Sequence, residues 1–546
     1  VRLATKLMGL ALSCALLVTG AETALAETPE PSPEPSISAT TEPSTPPTTE
    51  PTSVATEVTQ AAPSASTTSG VQPAEVPAST ATYRNPYCAD PSTLLSAAAK
   101  KKAGLSADYF GSPVALGQRP DVIGFVPKEG AKFNNPFSSA STVVIRQLLN
   151  GVRAAAAGST VKIAMYSMSR WDSAKAVIRA HCRGVNIQYL TDDHAVTTGP
   201  TQATKRVLTW APPPAPTATP SAVVANPNAG SQFRACYLSC SSDYKWKGAR
   251  VRVATTANPV YRPYMHAKYL TFDTLGGVPY VTMTSSGNFT VTQVKHGWNN
   301  VYTSVRDQST YNFLNDRLAE MWKDTSGNDY AVNTSTAGPD KKVYFFPWAV
   351  ANPKSSLQTV NPDTDPYTSF LENVKCTGAS KGYGNSKRRT QVFVSMYQWT
   401  SSRLYLARRL KRLKNAGCDV KVLMSASEWD LEVMPILRKW DKKKLKTTYK
   451  YGNILIRNGD RGSRFIHSKF ILVNGKWGNN SKTKVVFTGS GNWTKSSLRF
   501  NNEVNLLISG VGYKQFKANW NKMWNSRKYS TPITKLAKKK TSRGDA

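Results

Sequence analysis

The sequence predicts an α/β protein built from two copies of one unit. Three observations carry this: a helix–strand–helix–strand order that occurs twice, apolar runs bounded by glycine or polar turns, and matching polar motifs that close each copy. The first copy opens with the helical pattern STVVIRQLLNGVRAAAAG, Ser141 to Gly158. The strand TVKIAMYSMS follows, then a helix around Asp172 to Cys182, then the strand VNIQYLTDD. The second copy opens with PYTSFLENVK. It continues with the strand TQVFVSMYQWT, the cationic helix SSRLYLARRLKRLKNAG and the strand CDVKVLMSAS. Such alternation predicts a largely parallel sheet covered on both faces.

Each copy then reaches its motifs. YMHAKYLTFD leads to VTMTSSGNFT in the first, and FIHSKFILVN to VVFTGSGNWT in the second. His266 precedes Asn288 by 22 residues and His467 precedes Asn492 by 25, a difference that fits a longer hairpin loop from Asn474 to Lys482. Residues i and i+2 of a strand share a face. His266 and Lys268 therefore project side by side, as do His467 and Lys469. A single H-x-K carries little information, and a single S-G-N is an ordinary turn. Yet the chain has only five histidines, and two of them repeat this whole arrangement. Duplication of half an active site accounts for that; coincidence does not.

Two His, two Lys and two Ser/Asn turns suit a phosphate diester. Lys and Asn donors, with Ser hydroxyls, hold the non-bridging oxygens and stabilise the charge of the transition state. One neutral His attacks phosphorus; the other, protonated, donates to the leaving oxygen and then activates water or an alcohol. This chemistry calls for no metal and no cofactor, and the sequence carries no HExxH motif or clustered ligand set.

With its paired H-x-K-x(4)-D and G-S-x-N motifs, the chain resembles the phospholipase D superfamily, in its secreted bacterial form with two H-x-K repeats. The resemblance runs from about Arg84 to Tyr529. It implies two pseudo-twofold-related α/β/α sandwich repeats with one active site at their interface. It also implies catalytic roles for His266, Lys268, His467 and Lys469, and phosphate-binding roles for Ser286, Asn288, Ser490 and Asn492. His266 is the expected nucleophile and His467 the general acid, an order the pseudo-symmetry allows to be reversed. Asp273 fills the family's Asp position as a structural residue near the site, where the second copy has Asn474. Ser285 stands where Gly is usual. Many members carry an acid eleven residues after the motif Asn, which orients a catalytic His. The second copy has Glu503 there, a further catalytic candidate, and the first has Asn299. The His that contacts Glu503 is expected to favour the imidazolium form and the other to stay neutral. The sequence leaves open which His that is.

Residues 1–26 read as a signal peptide: Arg2 and Lys6, an apolar stretch from Leu7 to Val18, and the small-residue site Ala24-Leu25-Ala26. A Val at position 1 suits a bacterial reading frame with a non-ATG start, so the expected location is extracellular. Residues 27–83 are rich in Pro, Ser, Thr, Ala and Glu, a composition that cannot bury enough surface to order itself. The repeats are then assigned to 84–335 and 336–530, and a basic flexible tail to 531–546. Six cysteines follow the signal region, an even number that favours disulfides in an exported chain. Proximity suggests Cys376–Cys418 and Cys236–Cys240, which leaves Cys88 with Cys182.

Removing the two basic and eight acidic residues before Arg84 leaves 68 basic against 26 acidic, a net of +42. Such charge attracts nucleic acid, anionic lipid surfaces and wall polymers alike. The basic helix carrying Arg403, Arg408, Arg409, Lys411 and Arg412, and the stretch Lys439 to Gly452, read as solvated faces. The RGD near the C-terminus reads as chance. His194 in TDDHA follows a strand and can line the cleft, or ligate metal with Asp192 and Asp193; the simpler reading is a solvated loop. The insert from Thr197 to Arg250 is too long for a simple connector and suggests a gating loop. Asn288 and Asn492 lie in N-x-T sequons, where a glycan would plug the site.

Three functions are in view. The first is a secreted phospholipase D-like hydrolase acting at a phospholipid membrane or micelle surface as a monomer. It would convert phosphatidylcholine to phosphatidate and choline, with or without transfer to other alcohols. Tyr264, Phe289, Trp298 and Trp493 are aromatic candidates to hold the choline cation. The second is a metal-independent endonuclease of the same superfamily, favoured by the basic charge. The third is an inactive basic surface-binding protein on the same scaffold.

Overall fold

The computed structural model describes residues 85–211, 230–240, 245–246, 249–250, 263–325, 331–335, 341–347, 360–425, 432–438 and 454–533. The expected signal peptide, the linker, the basic stretch 439–452 and the RGD lie outside them, as does much of the 197–250 insert. Among the described residues no helix is long and apolar enough to cross a membrane.

Two mixed sheets organise the fold. The first contains β1 (Gly130–Phe133), β2 (Thr160–Met165), β3 (Asn186–Asp192), β4 (Gln232–Cys236), β5 (Lys268–Leu275), β6 (Val278–Ser285) and β7 (Asn300–Ser304). Their spatial order is β1-β7-β6-β5-β2-β3-β4. The second contains β8 (Ala331–Thr334), β9 (Lys342–Phe346), β10 (Gln391–Met396), β11 (Asp419–Met424), β12 (Leu455–Asn458), β13 (Lys469–Trp477), β14 (Asn480–Gly489), β15 (Glu503–Ser509) and β16 (Thr531–Pro532). Their order is β8-β9-β15-β14-β13-β10-β11-β12-β16, with Val374–Lys375 paired to β13 beside this path. From β9 to β12 the second sheet repeats the first strand for strand. The duplication expected from the motifs extends through the whole topology.

The expectation of largely parallel sheets needs correction. Only β2–β3–β4 and β10–β11–β12 pair in parallel; the other neighbours in each repeat are antiparallel. The cause is the hairpin after each H-x-K strand. Gly276 and Gly277 (φ +55° and +74°) turn β5 into β6, and Gly478 (φ +57°) turns β13 into β14. A tight hairpin joins only antiparallel strands, and glycine adopts positive φ without a Cβ clash.

Eight of the helices among the described residues cover the sheets: α1 (Val143–Ala154), α2 (Trp171–Cys182), α3 (Gly199–Leu208), α4 (Gln308–Lys323), α5 (Pro366–Glu372), α6 (Leu404–Asn415), α7 (Val433–Arg438) and α8 (Val511–Asn525). Alternation along each strand sorts side chains between cores. Val161, Ile163 and Met165 of β2 face α1, α2 and α3, while Ala164 turns to the opposite face. In β10, Val392, Val394 and Met396 face α5, α6 and α7, and Phe393 turns inward. The inward faces of both sheets meet α4 and α8 in one central core, where Phe393 stacks on Trp520 at 4.4 Å. Burying this shared core holds the two repeats together, at about 25 cal/mol per Å² of apolar surface.

Three further expectations shift. The insert contributes α3 and the edge strand β4, so its described part is framework rather than a gating loop. Strand β8 joins the second sheet, which therefore begins before residue 336, and β16 carries that sheet past residue 530. Arg403 is 1% exposed and not on a solvated face. It lies in the turn that leads into α6 and forms an ion pair with the buried Asp365.

The cysteines pair as expected: Cys88–Cys182, Cys236–Cys240 and Cys376–Cys418, with Cα separations of 5.3, 4.9 and 4.6 Å. The last ties the segment before β10 to the start of β11. Cys376→Ala/Cys418→Ala is expected to lower stability by about 2–4 kcal/mol through the freed loop. The urea midpoint under non-reducing conditions measures this, and an unchanged midpoint would contradict it.

Candidate active site

Strands β5 and β13 begin at the lysines of the two H-x-K motifs, and each is led in by an extended segment that pairs with the other repeat. Phe465–Ile466 runs parallel to Gly297–Trp298, and the His467 N–H donates to the Trp298 carbonyl at 3.1 Å. Reciprocally, Met265 bridges to Asn502, whose N–H donates to the Tyr264 carbonyl at 3.0 Å. Each histidine is thus delivered to the interface by backbone from both halves.

The side chains cross in the same way. His266 Nδ1 lies 2.9 Å from both oxygens of Glu503, a residue of the second repeat. His467 Nδ1 lies 2.9 Å from Oδ1 of Asn299, a residue of the first. The Asn299 amide nitrogen donates to the Gln293 carbonyl and side-chain oxygens and to the Gly297 carbonyl. Its Oδ1 therefore faces His467, and the ring donates through Nδ1. Glu503 also accepts from Ser490 Oγ, Ser497 Oγ and Asn501 Nδ2. Burial pushes its carboxyl up, but the opposing charges of His266 and Lys268 and the Ser490 bond outweigh this and hold it below the ordinary value. Glu503 is a carboxylate, and His266 donates to it. In both histidines the partner from the other repeat holds Nδ1, and Nε2 is the nitrogen on the opposite side of the ring.

The lysines keep to their own repeat. Lys268 Nζ donates to the His266 carbonyl at 2.6 Å and sits 4.9 Å over the ring of Tyr166. Lys469 Nζ is 3.1 Å from His467 Nε2 and 5.0 Å over the ring of Tyr397. Tyr166 and Tyr397 also flank the histidines, at 4.9 Å from His266 and 4.6 Å from His467. Both tyrosines follow directly on β2 and β10, and the motif search missed them. Their signal was the shared Met-Tyr of AMYS and SMYQ, where an exposed-type residue closes two apolar strands.

The turn residues divide. Ser286 Oγ donates to Asn299 Oδ1 at 3.2 Å and accepts the Asn300 N–H, while Ser490 Oγ donates to Glu503 and accepts the Val504 N–H. Both hydroxyls brace the residue that holds the opposite histidine, so the expected phosphate-binding role of Ser286 and Ser490 is corrected to a positioning one. Asn288 and Asn492 stay beside the site. Asn288 Oδ1 is buried without a hydrogen-bond partner among the described residues, and the Asn492 carbonyl accepts from Arg403. A Cβ on Gly287 would lie 2.9 Å from Asn299 Cγ, which explains the glycine in the turn.

Ser285, in the place of the usual glycine, is compensated across the sheet. In the second repeat Gly489 faces Asn505, whose side chain accepts the Gly491 N–H. In the first, Ser285 faces Val301 and its own hydroxyl accepts the Gly287 N–H. Asp273 lies at the far end of β5, seven residues from His266 and about 20 Å along the strand. It is not near the site; its carboxylate accepts the Thr160 N–H and anchors the start of β2. Nor is His194 in a solvated loop: its Nδ1 is 2.6 Å from the fully buried Asp192.

The two repeats exchange the partners of their paired histidines while each lysine stays with its own repeat, so the two motifs form one site. The profile described as cardiolipin synthase, PLD-like domain, matches residues 152–322 and 385–524, more than half of the chain. The chain belongs to this phospholipase D-like family. No curated protein matches it in sequence. Similar solved structures include polyphosphate kinase from Porphyromonas gingivalis, at 12% identity over 76% of this chain and 54% of that one, TM-score 0.42. The chain therefore spans about half the length of that kinase. Phosphatidylserine synthase from Haemophilus influenzae matches at 12% identity over 78% of this chain and 90% of that one, TM-score 0.46. Nuc, a phospholipase D family member from Salmonella typhimurium, matches at 15% identity over 38% of this chain and 99% of that one, TM-score 0.22.

Because the folded-state pKa of Glu503 lies below its ordinary value, its contribution to stability is complete above about pH 4.3. That contribution is lost as pH falls through the folded value. Glu503→Gln is expected to be less stable at pH 7 and to lose less stability on acidification. Parallel acid-unfolding curves for the two proteins would contradict this.

Proposed function

We propose that the chain is an exported phospholipase D-like phosphodiesterase that acts at a phospholipid surface, as a monomer, through a phosphohistidine. It cleaves phosphatidylcholine-type lipids to phosphatidate and a head-group alcohol, and passes the phosphatidyl group to other alcohols. The observation that carries the mechanism is the unequal pair of histidine partners, Glu503 on His266 and Asn299 on His467.

His266 Nε2 attacks phosphorus while His467, protonated on Nε2, gives its proton to the departing alkoxide oxygen. The phosphohistidine ring carries positive charge, and the Glu503 carboxylate stabilises it through Nδ1–H, as a buried acid stabilises an imidazolium. This order reverses the protonation expected from the sequence: the histidine held by Glu503 starts neutral and takes up positive charge only in the covalent intermediate. Asn299 accepts the Nδ1 proton of His467 without adding negative charge, so nothing behind that ring opposes transfer of its acidic proton. In the second step His467 takes a proton from water or an alcohol, which attacks phosphorus and expels His266. Lys268, Lys469 and the amides of Asn288 and Asn492 neutralise the non-bridging oxygens. The three disulfides suit an oxidising compartment and support export.

A second reading, a metal-independent nuclease, is favoured by the net charge of +42 from Arg84 onward. Assays in EDTA on phosphatidylcholine micelles and on plasmid separate the two. Choline release supports the lipase, nicking with a steep salt dependence supports the nuclease, and silence in both supports a binding protein. His266→Ala is expected to abolish turnover. His467→Ala is expected to slow it by about 10²–10⁴-fold and to accumulate an acid-labile phosphoenzyme. A His467→Ala protein at wild-type rate would remove His467 from the mechanism.

A further inference from the structure

A third histidine stands against the same site. His194 follows β3, and its Nδ1 lies 2.6 Å from Asp192 Oδ1. The second oxygen of Asp192 accepts the N–H of Met265, the residue before His266, at 2.8 Å. The carboxylate thus fixes both the His194 ring and the lead-in to the H-x-K strand. Asp192 is fully buried, whereas the His194 side chain is 28% exposed. Among the described residues His194 Nε2 has no hydrogen-bond partner. The ring packs on Tyr166 at 4.4 Å and faces Tyr264 at 6.3 Å, and the far side of the contact chain is Tyr166 against His266 at 4.9 Å. Laid end to end, the 4.4 and 4.9 Å centroid distances bound the separation of the two imidazoles. A phosphoryl group carrying a two- or three-carbon alcohol can span any separation within that bound.

The dyad breaks the symmetry of the repeats. Thr160 pairs with Asn186 in the first sheet as Gln391 pairs with Asp419 in the second, so the position of Asp192 corresponds to Ser425. Ser425 is also buried, but its hydroxyl donates to Asp460 rather than holding an imidazole. The position of Tyr264 corresponds to Phe465, which packs near Tyr397 and His467. One wall of the site therefore carries an oriented hydrogen-bonding ring, and the other an apolar aromatic.

We propose that His194, backed by Asp192, binds an oxygen on the second carbon of the alcohol that stays esterified to phosphorus in the phosphohistidine. This rests on the reading of His266 as nucleophile. In an in-line displacement the leaving oxygen departs on the side away from His266, toward His467 of the other repeat. His194 belongs to the His266 side, in the first repeat, so its natural partner is the retained alcohol. With Nδ1–H donated to the carboxylate, the neutral imidazole accepts at Nε2 from a hydroxyl, and the ring protonated on both nitrogens donates to an ester oxygen; neither form finds a partner on a plain alkyl chain.

The test uses three chromogenic diesters of p-nitrophenyl phosphate whose retained alcohols are 2-hydroxypropyl, 2-acetoxypropyl and propyl, with the cyclic phosphate that the 2-hydroxyl forms by its own attack on phosphorus measured and subtracted. Wild type is expected to prefer an oxygenated ester over propyl by about tenfold in kcat/KM, the worth of one hydrogen bond. The hydroxy and acetoxy arms tell a polyol from an acyl ester as the source of the oxygen. In His194→Ala and His194→Gln the preference is expected to collapse toward one. Calorimetric binding of 2-hydroxypropyl phosphate against propyl phosphate is expected to show the same loss without turnover. If both variants keep the preference, or wild type has none, the proposal is overturned while the diesterase reading stands. If wild type hydrolyses no diester but still binds the oxygenated phosphate better, in a manner lost with His194, this subsite stands and the diesterase reading fails.

Discussion

Everything at the site depends on the exchange of histidine partners between the repeats. His266 is held by Glu503 and His467 by Asn299, each across the interface, and the lead-in strands cross with them. The central core built from β5, β10, β13, α4 and α8 keeps that exchange in register. Neither repeat contains a complete histidine environment. Packing and site assembly are therefore one event, since separating the sheets would strip each buried imidazole of its partner.

The same arrangement explains why the motif serines are not ligands in waiting. Each hydroxyl is sandwiched between a backbone N–H and the residue that orients the opposite ring. Arg403 and Asp365 extend the bracing outward through the carbonyl of Asn492. Three concentric tiers result: imidazole and ammonium groups, their positioning residues, and a buried ion pair that anchors one turn. Glu503 faces His266 and Lys268 as a carboxylate, and the paired His and Lys groups around it suit the site to an anion.

Much of this was legible in the chain, for reasons that also mark the limits. The period-2 geometry of a strand suffices to place His266 beside Lys268 and His467 beside Lys469, and repetition lifts a weak motif into a strong one. The cysteine pairs followed from number and proximity. The partner of Glu503 was not legible, because the contact spans 237 residues and either histidine satisfies the chemistry. Sheet direction was misjudged because the helix–strand alternation of β2, β3, β10 and β11 is parallel, while the hairpins at Gly276-Gly277 and Gly478 impose the opposite sense on the rest. Arg403 hid in a run of surface cations. His194 looked like loop because nothing local reveals that Asp192, two residues earlier, is sealed in the interior.

The crossing of partners has a consequence for descent. In a symmetric pair of identical single repeats, the residue behind each imidazole is necessarily the same, since the twofold copies one into the other. Such an ancestor would carry two equivalent histidines, each able to play either part. Joining the copies in one polypeptide lifts that constraint. Position 299 can become an amide while position 503 remains an acid, and a histidine dyad can arise beside one copy only. Covalent fusion here is what makes a division of labour heritable.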